Sequence, residues 1–156
     1  MDLTFKTENG RFNHRVGAII IKDSKILMVK NENAPYYYSV GGRVKFGESC
    51  EEAILREVEE ELGIVATVER PVFFNENFFT EVTNGEKYHE VSVYFLVTLP
   101  EASAPLECQS VTEIGSKETL HWLEIAKLKE VQAYPLFFAE ELLDMPVGMK
   151  YLVERQ

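Results

Sequence analysis

The stretch Gly42–Ile64, GRVKFGESCEEAILREVEEELGI, decides the fold. Its second half predicts a helix over Ser49–Leu62. Ser49 suits the N-cap, because its side-chain oxygen can accept from a backbone N–H that the first turn leaves unpaired. Glu51 and Glu52 lie at the positive end of the helix. Ala53, Ile54, Val58 and Leu62 recur at helical spacing and form an apolar stripe. Gly63 supplies the stop. Glu57, Glu60 and Glu61 stand at i, i+3 and i+4, so they share one face with Cβ atoms roughly 5–6 Å apart. Like charges so close repel. A hard divalent cation offsets that repulsion, since Mg²⁺ prefers carboxylate and water oxygens and keeps positions open for phosphates. Taken alone, however, a run such as EVEEE is more often a solvated helix face.

The flanks support the chemical reading. Gly41 and Gly42 allow close backbone approach and can aim a carbonyl oxygen at a metal. Glu48 precedes the helix and Arg56 lies inside it. A bidentate pair between them would fasten the loop to the helix.

Taken together, this stretch resembles the Nudix box, in which these residue types recur at fixed spacing. Gly42, Glu48, Arg56, Glu57, Val58, Glu60, Glu61, Gly63 and Ile64 fill every specified position. At ordinary residue frequencies a chance match is on the order of one in a million. The resemblance extends over residues 14–144: Arg15–Lys30 looks like the opening hairpin, Tyr38–Gly42 like the strand entering the box, and Trp122-Leu123 like a later tryptophan-bearing strand. Val40 departs from the proline that many members carry, at a structural position. The resemblance implies an α/β/α sandwich with a mixed central sheet. It also implies a hydrolase that cleaves a diphosphate linkage in a nucleoside diphosphate joined to another moiety, with water attacking phosphorus. Glu57, Glu60, Glu61 and the Gly42 carbonyl are then the metal ligands, for Mg²⁺ or Mn²⁺ in its place. Arg56 and Glu48 hold the scaffold. The general base is Glu60 or Glu61, or else a glutamate before the tryptophan strand, where Glu118 is a nearer candidate than Glu113. The alternative is a catalytically silent domain acting as a ligand sensor, although such domains usually lose box carboxylates.

Outward from the box, Asn9-Gly10 signals a tight turn within Leu3–Asn13. Arg15–Lys22 and Lys25–Lys30 read as a hairpin about Asp23-Ser24. Tyr36–Val40 reads as a short strand that Gly41-Gly42 breaks. Ile64–Thr80 and Lys87–Leu99 read as strand-rich around Asn84-Gly85, Pro100–Lys117 as a loop, Leu120–Leu123 as a short strand, and Pro135–Leu143 as a C-terminal helix. No repeat or linker divides the 156 residues, which reads as a single domain. Alternation places Tyr36 and Tyr38 on one face, where a ring can stack on a base. Phe73, Phe74, Phe78 and Phe79 suit a pocket or, more often, a core. Arg15 is a candidate phosphate or base contact or, equally, an exposed strand residue, and His89 and Glu90 open a strand where they can face the site or, more often, form a polar strand end. The many aromatics of Val72–Phe79 suit a homodimer contact.

The net charge of −10 argues against general nucleic-acid binding, which needs a basic face. No apolar run is long enough to span a bilayer, and the polar start lacks a signal-peptide pattern, so the expected compartment is the cytoplasm. Cys50 and Cys108 are too few for a disulfide framework and lack metal-ligand spacing.

Overall fold

A computed structural model describes residues 1–100, 109–111 and 117–156. Cys108 and Glu113 lie outside the described residues. The strands are β1 (Thr4–Thr7), β2 (Gly10–Ile19), β3 (Ile21–Lys22), β4 (Lys25–Asn31) and β5 (Tyr37–Arg43), followed by helix α1 (Cys50–Leu62). Then come β6 (Thr67–Thr80), β7 (Lys87–Thr98), β8 (Gln109–Val111) and β9 (Lys117–Glu124). A 3₁₀ helix at Ile125–Glu130, β10 (Ala133–Tyr134), α2 (Phe138–Glu141), a 3₁₀ turn at Leu142–Asp144 and β11 (Lys150–Arg155) complete the chain.

The main sheet runs β11-β6-β7-β2-β5-β4-β9-β8. It is mixed: β2 pairs parallel with β7 and β11 parallel with β6, while most other pairs are antiparallel. Both faces of its centre are covered, so strand residues are apolar on both sides rather than alternating with polar ones. Val16, Ala18, Ile20, Leu27, Val29 and Val40 pack on one face against Ala53, Ile54, Val58 and Leu62 of α1. Ile19, Ile26 and Met28 point the other way, to Phe73, Tyr94, Leu128, Phe138 and Leu142. This is an α/β fold: a mixed sheet with few helices.

Several expectations change. β5 continues through the two glycines, because Gly41 and Gly42 pair with Gly17 and Val16 of β2 and the ladder outweighs their weak strand preference. The predicted C-terminal helix shrinks to Phe138–Glu141 plus a 3₁₀ turn, since its chain starts at Pro135 and its apolar residues are spent on a short corner. β8 occupies part of the expected loop, and β11 adds a strand beyond the last element the sequence predicts. At α1 the reading holds. Ser49 Oγ accepts from the Glu52 N–H at 3.1 Å, and Gly63 closes the helix at φ 71° with its N–H on the Glu59 carbonyl.

Candidate active site

The box loop is held by one guanidinium. Arg56 Nη2 donates to Glu48 Oε1 at 2.7 Å and Nε donates to Glu48 Oε2 at 3.1 Å, the bidentate pair the spacing predicts. Nη2 also donates to the Arg43 carbonyl at 3.0 Å, so strand, loop and helix meet at one side chain. Nη1 reaches Glu57 at 3.0 Å and Glu60 at 3.2 Å. Glu48 also accepts from the Lys45 N–H at 2.7 Å. The hydrogen bonds from Arg56 hold the Glu48 carboxyl below its ordinary range, and those carboxylates hold the Arg56 guanidinium above its own. The N-terminal segment braces the same loop: the Leu3 N–H donates to the Val44 carbonyl and the Phe46 N–H to the Met1 carbonyl, each at 2.8 Å.

Two of the three box glutamates turn inward from α1. The Glu57 carboxylate lies against Gly42, where a Cβ would come within 2.4 Å of its Oε1. Only glycine leaves that space. Gly41, at φ +156°, lies so close to β2 that a Cβ would meet the Val16 carbonyl at 2.1 Å. Its N–H bonds to Glu61. Burial raises the Glu57 carboxyl, with Glu60 adding and Arg56 opposing. Glu61 is raised well above the ordinary range, first by burial, then by Glu57 and Glu118; Gly41 and Arg15 oppose the shift. Glu61 Oε2 is buried and has no hydrogen-bond partner.

Glu118 comes to this place from β9. Burial raises its carboxyl, while a hydrogen bond with the Tyr38 hydroxyl opposes the shift. The Tyr38 hydroxyl in turn is raised by burial and by Glu118 and Glu61. Thus Glu57, Glu61, Glu118, Tyr38, Gly41 and Gly42 form one acidic site, with Arg15 within electrostatic reach of Glu57 and Glu61. Among the described residues no three His, Cys, Asp or Glu side chains stand in a ready metal cluster. The carboxyls interact without being gathered around one point.

Glu60 stands apart. Its side chain is 54 % exposed and pairs with Arg56 one turn back, outside the inward pair. Tyr36 packs on Tyr38 and Tyr134, with ring centroids 6.4 and 5.3 Å away. Of the aromatic candidates, Phe73 is fully buried in the core. Phe78 and Phe79 line a cavity of about 570 Å³ with Phe12 and His89, away from the carboxylates at the far ends of the strands. His89 and Glu90 point to opposite faces: His89 lies on the Phe12 and Phe78 rings, while Glu90 accepts from Asn13 Nδ2 at 3.2 Å. Sequence reasoning missed the Glu118–Tyr38 link. Two aromatic and acidic residues so far apart in the chain give no local signal.

The chain is similar to several known proteins. An ADP-ribose pyrophosphatase of Methanocaldococcus jannaschii is 33 % identical over 85 residues, covering 53 % of this chain and 48 % of that protein. A CTP pyrophosphohydrolase of Escherichia coli is 44 % identical over 57 residues, covering 34 % of this chain and 42 % of that protein. The chain thus spans about half the length of the curated relatives it matches. The crystal structure of a UDP-X diphosphatase superposes with a TM-score of 0.63 at 23 % identity, over 90 % of this chain and 66 % of the other, which is a likeness of fold. A profile of the NUDIX domain matches residues 11–140, the stretch that contains the box, the inward glutamates and Glu118. With that match over most of its length, the chain belongs to the Nudix family.

Proposed function

We propose that this chain is a Mg²⁺-dependent hydrolase that cleaves a diphosphate linkage in a small nucleotide-type molecule. The observation that carries the reading is the buried, unpartnered Oε2 of Glu61 beside two further carboxyls, those of Glu57 and Glu118. Such a group is costly unless something positive meets it. Hard oxygen donors of this kind fit Mg²⁺, with Mn²⁺ as a substitute. Glu57 and Glu61 would hold the cation, with the Gly42 carbonyl beside them. Glu60 joins them only if its side chain leaves Arg56. When bound, the cation supplies charge neutralisation of the phosphates and lowers the cost of forming hydroxide from water.

The chain's own residues do the rest. Arg56 and Glu48 fix the loop against α1, so the carboxylates keep their positions during the reaction. Glu118, steadied by the Tyr38 hydroxyl, would take a proton from the attacking water. Arg15 brings a positive charge to the edge of the acidic site and meets a phosphate there. Relatives named as an ADP-ribose pyrophosphatase and a CTP pyrophosphohydrolase support a nucleotide diphosphate as substrate class.

The test is a panel of nucleoside triphosphates, nucleotide sugars and dinucleoside polyphosphates, each with Mg²⁺ or EDTA, run on the wild type and on Glu61→Gln. Cleavage that needs Mg²⁺ and disappears in the variant is expected. Cleavage that persists in EDTA would refute the metal requirement, and cleavage that persists in the variant would remove Glu61 from the site. Tight binding of a panel member without any cleavage would favour a sensor instead.

A further inference from the structure

The described structure buries three polar residues, Asn13, Asn75 and Ser92, at 3, 2 and 2 % exposure. All three fall in one place. Across the sheet, Arg15 of β2 pairs with Ser92 of β7, and Ser92 pairs with Asn75 of β6. In the next row Asn13 pairs with Glu90, Glu90 with Asn77, and Asn77 with Glu154 of β11. Residues two apart on a strand share a face, so these rows form one polar patch continuous across β2, β7, β6 and β11. It is the same face that turns apolar at Tyr94 and Phe73.

Burying amides and carboxyls is unfavourable unless each finds a partner. Here the partners are incomplete. Asn13 Nδ2 donates to Glu90 Oε2 at 3.2 Å, and Asn75 bonds to Glu154. Yet Glu154 Oε1 is buried with no partner. Arg15 is half-buried, and among the described residues it forms no ion pair. A closed structural network would have used both. The open positions also have a direction. Arg15 acts electrostatically on Glu57 and Glu61 at the acidic site, and on Tyr94, which feels Glu90 and Glu154 as well. One guanidinium therefore links the acidic site to the patch.

We propose that this patch is the pocket for the non-phosphate half of the substrate, a hydroxyl- or amino-rich group. Glu90 and Glu154 accept its hydrogen bonds while its phosphate meets Arg15. Asn13 and Asn75 are positioning residues that hold the two carboxyls. The inference rests on the diphosphate-hydrolase reading for the identity of the ligand. The donors can come from sugar hydroxyls or from the amino edge of a base, which present the same chemistry to a carboxylate.

The test needs no turnover. Wild-type protein in EDTA is titrated with AMP, CMP, ribose 5-phosphate and inorganic phosphate, and amide resonances are followed by NMR. A nucleoside monophosphate or ribose 5-phosphate is expected to shift the Asn75, Glu90, Ser92 and Glu154 resonances, and phosphate alone is not. Glu90→Gln and Glu154→Gln, both near-isosteric, are each expected to weaken binding about tenfold, the scale of one hydrogen bond to a charged group. Binding of ribose 5-phosphate as tight as that of AMP assigns the donors to the sugar; binding of AMP or CMP alone assigns them to the base. The proposal is overturned if no probe binds, if the shifts lie elsewhere, or if both variants bind like the wild type. A protein that binds here but cleaves nothing in the Mg²⁺ panel would sink the hydrolase reading and keep the pocket. One that cleaves, with binding and KM unchanged in both variants, would do the reverse.

Discussion

Glu61→Gln removes a charge and keeps the shape. The Oε2 it replaces is buried without a partner, and the carboxyl lies near Glu57 and Glu118. An unsatisfied buried polar group costs about 1–3 kcal/mol. A glutamine amide there can donate to a neighbouring carboxylate, so the variant is expected to be more stable than the wild type by about 1–3 kcal/mol when no cation is present. For a chain of this size each kcal/mol moves Tm by about 2–4 °C, giving a rise of about 2–12 °C. Mg²⁺ at the proposed site is expected to reverse the order. A ligand that binds only the folded state stabilises it by mass action, about 2.7 kcal/mol at a hundredfold excess over Kd. The variant loses most of that gain together with a ligand.

pH gives an independent reading of the same group. Burial and the two neighbouring carboxyls hold the Glu61 carboxyl well above its ordinary range. The folded protein therefore keeps a proton that the unfolded chain has released. The resulting advantage is full below about pH 4, the unfolded value, and is lost as pH rises toward the raised folded one. Melting curves in EDTA at about pH 5 to 8, with and without Mg²⁺, test both effects. The wild type is expected to lose stability with rising pH more steeply than the variant. A variant that melts several degrees lower in EDTA, or gains as much from Mg²⁺ as the wild type, would refute the reasoning.

Three further perturbations separate scaffold from chemistry. Gly42→Ala puts a Cβ within 2.4 Å of Glu57 Oε1, so the carboxylate must move; activity is expected to fall by about a hundredfold with little change in Tm, and unaltered kcat would refute the close fit. Arg56→Lys keeps the charge but loses the fork across Glu48, Glu57 and the Arg43 carbonyl; the side chain is 22 % exposed, so urea unfolding is expected to show a loss of only about 1–3 kcal/mol. At the far end of the sheet, Glu86 sits between Lys6 and Arg11 at 2.9 Å each, and their hydrogen bonds lower its carboxyl to about 2. Its contribution is present above about pH 4 and declines as pH falls toward 2, so Glu86→Gln is expected to flatten the acid side of the stability curve, read by circular dichroism.

The helix was legible because each of its signals is local. Ser49, the apolar stripe and Gly63 lie within one turn of the positions they determine. The Glu48–Arg56 pair follows from the same helical geometry. Which glutamates turn inward did not follow, because spacings of i+3 and i+4 both count as one face until the sheet beneath fixes the rotation. Gly42 takes Glu57, Gly41 takes Glu61, and Arg56 draws Glu60 outward. Elsewhere, long-range pairing overrode local preference. Gly41 and Gly42 read as breakers and are ladder residues, and Lys150–Arg155, for which the sequence reading gives no strand, pairs with β6. Asn13, Asn75 and Ser92 each resemble a solvent-facing strand position. Only the register of three strands shows that they are one buried group.

That register also answers a question set by the charge. A chain at −10 that binds a polyphosphate must overcome repulsion over the whole ligand, and a cation at Glu57 and Glu61 neutralises only the part it touches. In the proposed reading Arg15 meets the second part. It stands on β2 opposite Arg43 of β5, whose carbonyl accepts from Arg56, so its strand is anchored to the helix that carries the carboxylates. On its other side it pairs with the buried Ser92, beyond which lies the buried Asn75. The Arg15 side chain is half-buried and, among the described residues, forms no ion pair, so it remains available to an anionic ligand. Arg15→Met should therefore weaken binding of a nucleotide in EDTA as well as hydrolysis in Mg²⁺, whereas a residue serving the cation alone would affect only the second. If the variant binds AMP as the wild type does and loses only turnover, Arg15 serves the reacting phosphate and the link to the patch is wrong.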